Sequence, residues 1–379
     1  MPAISAVTRR RPWREAWLGL RNRLLADARF QRWAAGFPLT RPIARRRTRA
    51  LFDLVAGFVY SQTLAACVSL DLFDSLADGP LTVAILARQH ALQEPAMATL
   101  LKAATALDLL ERLPDGRFGL GSLGAALRGN PSVNAMIEHH AMLYADLADP
   151  VALLRGHSAT PRLAGFWAYA GNADPASARP EQVRHYSALM AESQAFVAGE
   201  VLDAYPLGRH RRLLDIGGGT GVFLSAAASR VPALELMLFD LPAVAQLARG
   251  RFAETGLAAR VRVFEGSFFA DPLPGGADVA SLIRVLHDHD DDAARSILRR
   301  AHAALPRGGV LLVAEPMSGT AGAAPIGDAY FGFYLTAMGS GRPRTPGEIS
   351  DLLLQAGFRR PRMLRTRLPL LVRLMIATA

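Results

Sequence analysis

The stretch Leu213-Leu214-Asp215-Ile216-Gly217-Gly218-Gly219-Thr220-Gly221 limits what this chain can fold into more than any other. A short apolar run ends in four glycines within five residues, and a helical pattern follows from 222 to 230. Glycines there let the backbone turn sharply and let a ligand approach the main chain with no Cβ in the way. Beyond Arg211 strand and helix alternate. Strands are expected at 234–239, 261–264, 279–285 and 310–314, with helices at 242–255 and 291–305. That alternation implies an α/β, Rossmann-like domain whose sheet is mainly parallel and covered on both faces. Residues 359–379 read instead as two consecutive strands, which would add an antiparallel pair at the sheet edge.

The region before it is of another kind. From 48 to about 154 the pattern is helical, and 81–111 reads as helix, turn, helix. Leu113-Pro114-Asp115-Gly116-Arg117-Phe118 then looks like the hairpin of a wing. A mostly α winged-helix shape follows. Its second helix, 95–111, carries Lys102 and no arginine cluster, which favours packing or dimerisation over DNA reading. Residues 159–182 are rich in Ala, Gly and Pro and suit a linker, and a helix over 182–205 leads into the α/β part. The division expected is a basic arm (1–47), a winged-helix-like dimerisation and substrate domain (48–180) and a catalytic domain (181–379).

Charge sets the arm apart. Residues 1–50 hold thirteen arginines against Glu15 and Asp27, a balance of +11, so the rest of the chain sums to −1 of the total +10. Trp13, Trp17, Phe30 and Trp33 interleave with the arginines, as in an amphipathic helix lying among anionic headgroups. A helix docked on the protein with a solvated basic face fits equally. The apolar stretch 51–73 is interrupted by Asp53, Gln62, Ser69 and Asp71, so a protein without a membrane span, peripheral at most, is expected. A single cysteine, Cys67, excludes an internal disulfide framework, and no secretory signal opens the chain. Both point to the cytoplasm.

Three segments carry chemistry. The glycine turn is preceded by Asp215, and Asp240 closes the next strand in Phe239-Asp240-Leu241-Pro242, where an acid can accept bonds from both ribose hydroxyls of an adenosine. By themselves these two serve a dinucleotide as well as S-adenosylmethionine. The third is His287-Asp288-His289-Asp290. Together the three resemble the class I S-adenosylmethionine-dependent O-methyltransferases of the caffeic-acid and acetylserotonin type. The resemblance spans most of the chain, because that family also begins with a winged-helix dimerisation domain. It implies a homodimer, with S-adenosylmethionine held by Asp215, Gly217, Gly219, Asp240, Ser267, Phe268 and Arg284, and with His287 and Glu315 as the catalytic residues.

The departures from the family pattern are specific. Gly266-Ser267-Phe268-Phe269 replaces a common G-D-M-F, which removes the carboxylate beside the adenine and puts Phe268 where a methionine would stack. His289 replaces a tryptophan. Glu315 matches one of two glutamates flanking the family histidine, and the other falls at Pro343. Arg284 lies near a cofactor-contacting lysine of the plant enzymes, one residue short in spacing. Met190 and Ser193 match cofactor-side positions loosely. The run His287 to Asp292 has metal-ligand chemistry, but acids at a helix start favour its macrodipole, and no catalytic metal is expected. His139-His140 suits packing or pocket lining better than a ligand pair.

An alcohol is a poor nucleophile while protonated, so His287 is expected to take its proton, with Glu315 fixing the imidazole tautomer. The segments 37–47 and 51–62 resemble the purple-bacterial hydroxyneurosporene (demethylspheroidene) O-methyltransferases, which implies a hydroxylated carotenoid as acceptor and contact with the inner or photosynthetic membrane. A bacteriochlorophyll C-methyltransferase and a phenol or polyketide O-methyltransferase share the same catalytic half. An NAD-dependent dehydrogenase and a DNA-binding regulator with a methyltransferase-like ligand domain are the readings from other classes.

Overall fold

The computed structural model describes residues 12–157, 161–167 and 180–379. The chain separates into two compact units, Met1–Ala126 and Leu127–Ala379.

The first unit is helical. α1 (Pro12–Ala26), α2 (Ala28–Gly36) and α3 (Arg41–Ser69) are followed by α4 (Leu72–Ser75), α5 (Val83–Gln89) and α6 (Glu94–Ala106). Asp27 caps α2 by accepting from the Phe30 amide at 2.7 Å. The wing is present: β1 (Leu110–Arg112) pairs antiparallel with β2 (Phe118–Leu120). The short α7 (Ser122–Arg128) follows it. Cys67, Leu72, Leu86, Met97 and Leu101 are fully buried in this unit, and burial pushes the Cys67 thiol up to about 12, so it is a packing residue rather than a nucleophile. The expected arm boundary at 47 falls inside α3, which runs unbroken from Arg41 because Pro42 sits at its first turn, where no amide donor is needed. Along α3, Leu51, Phe52, Leu54, Val55 and Phe58 are exposed. Among the described residues α3 alone is long and apolar enough to cross a membrane by length and composition, which the interrupting polar residues led the sequence reading to discount.

The second unit opens with α8 (Pro131–Asp146), α9 (Pro150–Leu154), α10 (Arg162–Phe166) and α11 (Pro180–Ala204). Most of the expected linker over 159–182 lies outside the described residues. The helices before it, assigned from sequence to the first domain, belong to the second compact unit, where Leu143 and Leu153 share a core with Tyr334, Leu335 and Leu163 of the linker region. The α/β part then follows the expected order: β3 (Arg212–Ile216), α12 (Val222–Arg230), β4 (Glu235–Asp240), α13 (Pro242–Glu254), β5 (Val261–Glu265), β6 (Val279–Ile283), α14 (Asp291–Ala304) and β7 (Val310–Glu315). A π-helical segment (Pro325–Tyr330) runs into α15 (Phe331–Met338), followed by α16 (Pro346–Gln355), β8 (Arg359–Leu364) and β9 (Arg373–Thr378).

The seven strands lie in the order β5-β4-β3-β6-β7-β9-β8. The first five are parallel; β9 runs antiparallel to β7, and β8 to β9. All five residues of β6 are buried, as a strand covered on both faces requires. The edge strand β8 presents Arg359, Arg360 and Pro361 with a register irregularity, features that discourage further strand pairing. Strand order reverses between β3 and β6, and in open α/β sheets ligands bind at the carboxyl ends of the strands beside such a reversal.

Candidate active site

The glycine turn leaves β3 at that reversal. Gly217, Gly219 and Gly221 have φ of +69°, +58° and +81°, a region that side chains rarely occupy. A Cβ at Gly217 would lie 2.9 Å from the Val285 side chain, and one at Gly221 would run into the Phe252 ring. The backbone is bare by necessity.

Two carboxylates, one buried and one half-buried, frame this turn. Asp240, at the end of β4, accepts from the Gly219 amide at 2.8 Å and the Leu241 amide at 2.7 Å. Burial outweighs those two donors and pushes its carboxyl up to about 6. Asp215 accepts from the Ser281 hydroxyl of β6 at 2.6 Å through one oxygen, while its other oxygen is buried with no hydrogen-bond partner. Burial pushes this carboxyl up to about 7. Carboxylates so desolvated are stabilised by a ligand rich in donors. Beside them lies a cleft that, counted together with the open solvent at its mouth, holds about 1020 Å³, and Trp167, Tyr186, Phe268 and Arg284 help to line it.

Ser267 and Phe268 stand on the same cleft. Residue 267 carries no carboxylate, and its amide donates to Asp271 at 2.8 Å. Phe268 packs edge-on against Phe269 and against His289, the residue in place of the family tryptophan. Arg284 follows β6 with φ +57°, and its guanidinium reaches α11, donating to the Ser193 hydroxyl at 2.8 Å and the Met190 carbonyl at 3.1 Å. A strained backbone at a cleft residue persists only where its surroundings hold it. The positions matched only loosely in sequence, Met190 and Ser193, are thus the partners of Arg284.

His287 lies on a 3₁₀ turn, Leu286–Asp288, between β6 and α14. Its Nδ1 is bonded to Glu315 at the end of β7, whose other oxygen accepts from the Val285 and Leu286 amides at 3.1 and 2.8 Å. Its Nε2 lies 3.1 Å from the Asp288 carboxylate. Burial by itself would lower the imidazole pKa, but Asp288 and Glu315 together outweigh it and raise it. A second carboxylate therefore does face the histidine, from the next residue in the chain rather than from position 343. Asp291 and Asp292, which could have been read as ligands, start α14 and pair with Arg342 and Arg295.

The wall nearest the histidine is aromatic. The Phe331 ring lies 6.1 Å from the His287 ring, edge to face. Tyr330 and Tyr334, on the same helical segment, bond His140 at 2.8 Å and His139 at 2.7 Å, and Trp167 donates to Tyr334 at 3.1 Å. Burial pushes His139 down to about 4, lowers His140 and raises both tyrosines, so this wall carries no charge near neutral pH. Tyr330, Phe331, Tyr334 and Trp167 were not singled out from sequence. The aromatic run 330–334 was the available signal.

A family described as the O-methyltransferase domain matches residues 144–359, and its dimerisation domain matches 52–127. The chain belongs to the O-methyltransferase family. Demethylspheroidene O-methyltransferase of Cereibacter sphaeroides is 48% identical to it over 351 residues, which is 92% of each chain. The enzyme of that name from Rhodobacter capsulatus is 44% identical, over 86% of this chain and 82% of that one. Among solved structures, human N-acetylserotonin methyltransferase in complex with S-adenosylmethionine superposes with a TM-score of 0.70 at 25% identity, over 88% of this chain and 97% of that one. The Rossmann-like fold and the preceding helical dimerisation domain are those the sequence led us to expect. Membership also closes the dehydrogenase and regulator readings.

Proposed function

We propose that this O-methyltransferase methylates the hydroxyl of a hydroxylated carotenoid, converting a 1-hydroxy to a 1-methoxy end, with His287 as general base. The donor is S-adenosylmethionine, the methyl donor of the family, which supplies an electrophilic methyl on a sulfonium. The residues present fit it. Asp240 would take the ribose hydroxyls, the unpartnered oxygen of Asp215 and the bare backbone of Gly217 and Gly219 the methionine part, and Ser267, Phe268 and Arg284 the remaining walls.

His287 then has a defined task. With Nδ1 held by Glu315, the proton taken from the acceptor hydroxyl goes to Nε2, and the imidazolium that forms lies between Glu315 and Asp288. The tertiary alcohol of such a carotenoid is a weak acid, so a base of raised pKa serves it better than an unperturbed one. The uncharged wall of Phe331, Tyr330 and Trp167 suits an apolar chain and would be a poor host for an ionised acceptor.

Identity of 48% over nearly the whole chain to an enzyme named for demethylspheroidene is the observation that carries the acceptor. We assign two further features to the same reading. Arg14, Arg21, Arg23, Arg29 and Arg32 with Trp13, Trp17 and Trp33 are all exposed on α1 and α2, an arrangement suited to an anionic bilayer at about 1 kcal/mol per basic residue. The exposed apolar residues of α3 from Phe52 onward fall within the matched dimerisation domain, and we assign them to pairing of two copies.

The test is methylation of hydroxyneurosporene in liposomes with and without anionic lipid, beside small soluble phenols. Methylation of the carotenoid, weakened by high salt or by removal of residues 1–40, is expected. Efficient turnover of phenols with no carotenoid product in any lipid would overturn the acceptor. Carotenoid methylation indifferent to lipid charge and truncation would overturn only the membrane contact.

A further inference from the structure

The turn that carries His287 is gripped from two sides, and only one grip is the expected glutamate. Four consecutive carbonyls, those of residues 286 to 289, each accept a hydrogen bond from the segment 340–344. Arg344 donates through Nη1 to the Leu286 carbonyl at 2.6 Å and through Nη2 to the His289 carbonyl at 2.6 Å. The Arg342 amide donates to the His287 carbonyl at 2.9 Å, and the Ser340 hydroxyl to the Asp288 carbonyl at 2.8 Å. Gly341, at φ +80°, passes so close to residues 287 and 288 that a Cβ there would strike their backbone.

Arg344 is the anchor of this strap. It is 2% exposed, and its Nε donates to Asp291 at 2.9 Å, so the guanidinium spans both ends of the turn and the start of α14. A buried guanidinium is tolerated only when its donors are used, and its planar fork fixes geometry in a way an ammonium does not. The segment is itself tied down: Arg342 pairs with Asp291 and Glu348, and Glu348 closes a capping box with Thr345 at the start of α16.

We propose that Arg344 is a positioning residue for methyl transfer. It holds the 286–289 turn from its carbonyl side while Glu315 holds the amide side, so that the His287 ring stays in place for the acceptor. It acts on the histidine through the backbone, where Glu315 and Asp288 act through the ring. The proposal rests on His287 being the base.

The test uses the full-length protein as Arg344→Lys and Ser340→Ala, each alone and in a His287→Ala background. Turnover, acceptor KM, cofactor Kd and the NMR signal of the His287 Nδ1 proton are measured. Arg344→Lys should lower kcat by about 10- to 100-fold, the range a misplaced reacting group costs, with cofactor Kd within about threefold. It should also broaden the Nδ1 proton signal, and it should change residual turnover less than about twofold once His287 is gone. Ser340→Ala, which keeps the buried charge, should cost about two- to fivefold in kcat, the worth of one neutral hydrogen bond, and covers the case in which the lysine variant does not fold. An unaltered signal with wild-type kcat in the variants that fold would overturn the proposal. So would an equal fractional loss with and without His287, which marks a merely structural role. Wild-type turnover in His287→Ala alone refutes the base assignment instead, and the proton signal then still decides whether the strap orders the turn.

Discussion

The two sides of the catalytic cleft are made of opposite materials. On the cofactor side, the buried Asp215 and the half-buried Asp240 sit at strand ends around a backbone stripped of side chains, with pKa values pushed up to about 7 and about 6. On the acceptor side, helices α8 and α15 and residues around Trp167 bring together tyrosines, histidines and Phe331, all uncharged near neutral pH. On the first side one oxygen of Asp215 is buried without a hydrogen-bond partner; on the second the hydroxyls of Tyr330 and Tyr334 are bonded, while His139 Nδ1 is not. One side offers carboxylates and bare backbone, the other a wall without charge, and the His287 ring lies 6.1 Å from Phe331 of that wall.

Substitutions should therefore separate the two sides cleanly. The largest effect is expected at the junction: His287→Ala should lower turnover by about 10²–10⁴, the usual worth of a general base, and leave cofactor affinity within a few-fold by calorimetry. On the cofactor side, Asp240→Ala should weaken S-adenosylmethionine binding by about one to two powers of ten, since charge-assisted bonds contribute about 1.5–3 kcal/mol. The pH dependence sharpens this. On this reading both raised carboxyls hold the cofactor in their ionised form, so wild-type affinity should fall as pH drops through about 7 and again below about 6. Asp240→Asn should bind weakly and keep only the upper fall, that of Asp215, and a fall below about 6 that persists in Asp240→Asn would move that titrating group elsewhere. The smallest effect belongs to the acceptor wall. Tyr334→Phe removes the hydroxyl that His139 and Trp167 both bond and should cost about 1–3 kcal/mol of stability in denaturant unfolding, with cofactor affinity unchanged.

The same division governs what could be read from the chain. Asp215, Asp240, His287 and Glu315 were quoted from separate local motifs, with their roles implied by the family resemblance, and parallel strands of one sheet carry all four at or just past their carboxyl ends. The acceptor wall needs residues such as His139 and Tyr334, 195 positions apart, and nothing local announces that pairing. Some signals were present but unused. Thr345-Pro346-Gly347-Glu348 is the pattern of a capping box with proline at the first helical position, and it starts α16, which the strand-and-helix alternation did not include. Asp288 was read as one acid of a helix start, whereas the 3₁₀ turn carries its carboxylate back to His287 Nε2. The domain boundary differs for a related reason: α8 and α9 look like a continuation of the helical first half, and only their packing with Tyr334 and Leu335 assigns them to the second compact unit.

The most direct test of the account is the pH dependence of kcat in the wild type, in Glu315→Gln and in His287→Ala. His287 accepts a proton only when neutral, and Asp288 and Glu315 raise its pKa, so wild-type kcat should climb with pH through a single limb centred above the ordinary histidine value of about 6.5. Glu315→Gln should move that limb to lower pH by removing one of the two carboxylates. His287→Ala should abolish it along with most of the rate. A limb of the same position in all three proteins, or wild-type turnover independent of pH, would contradict the assignment of His287 as the base.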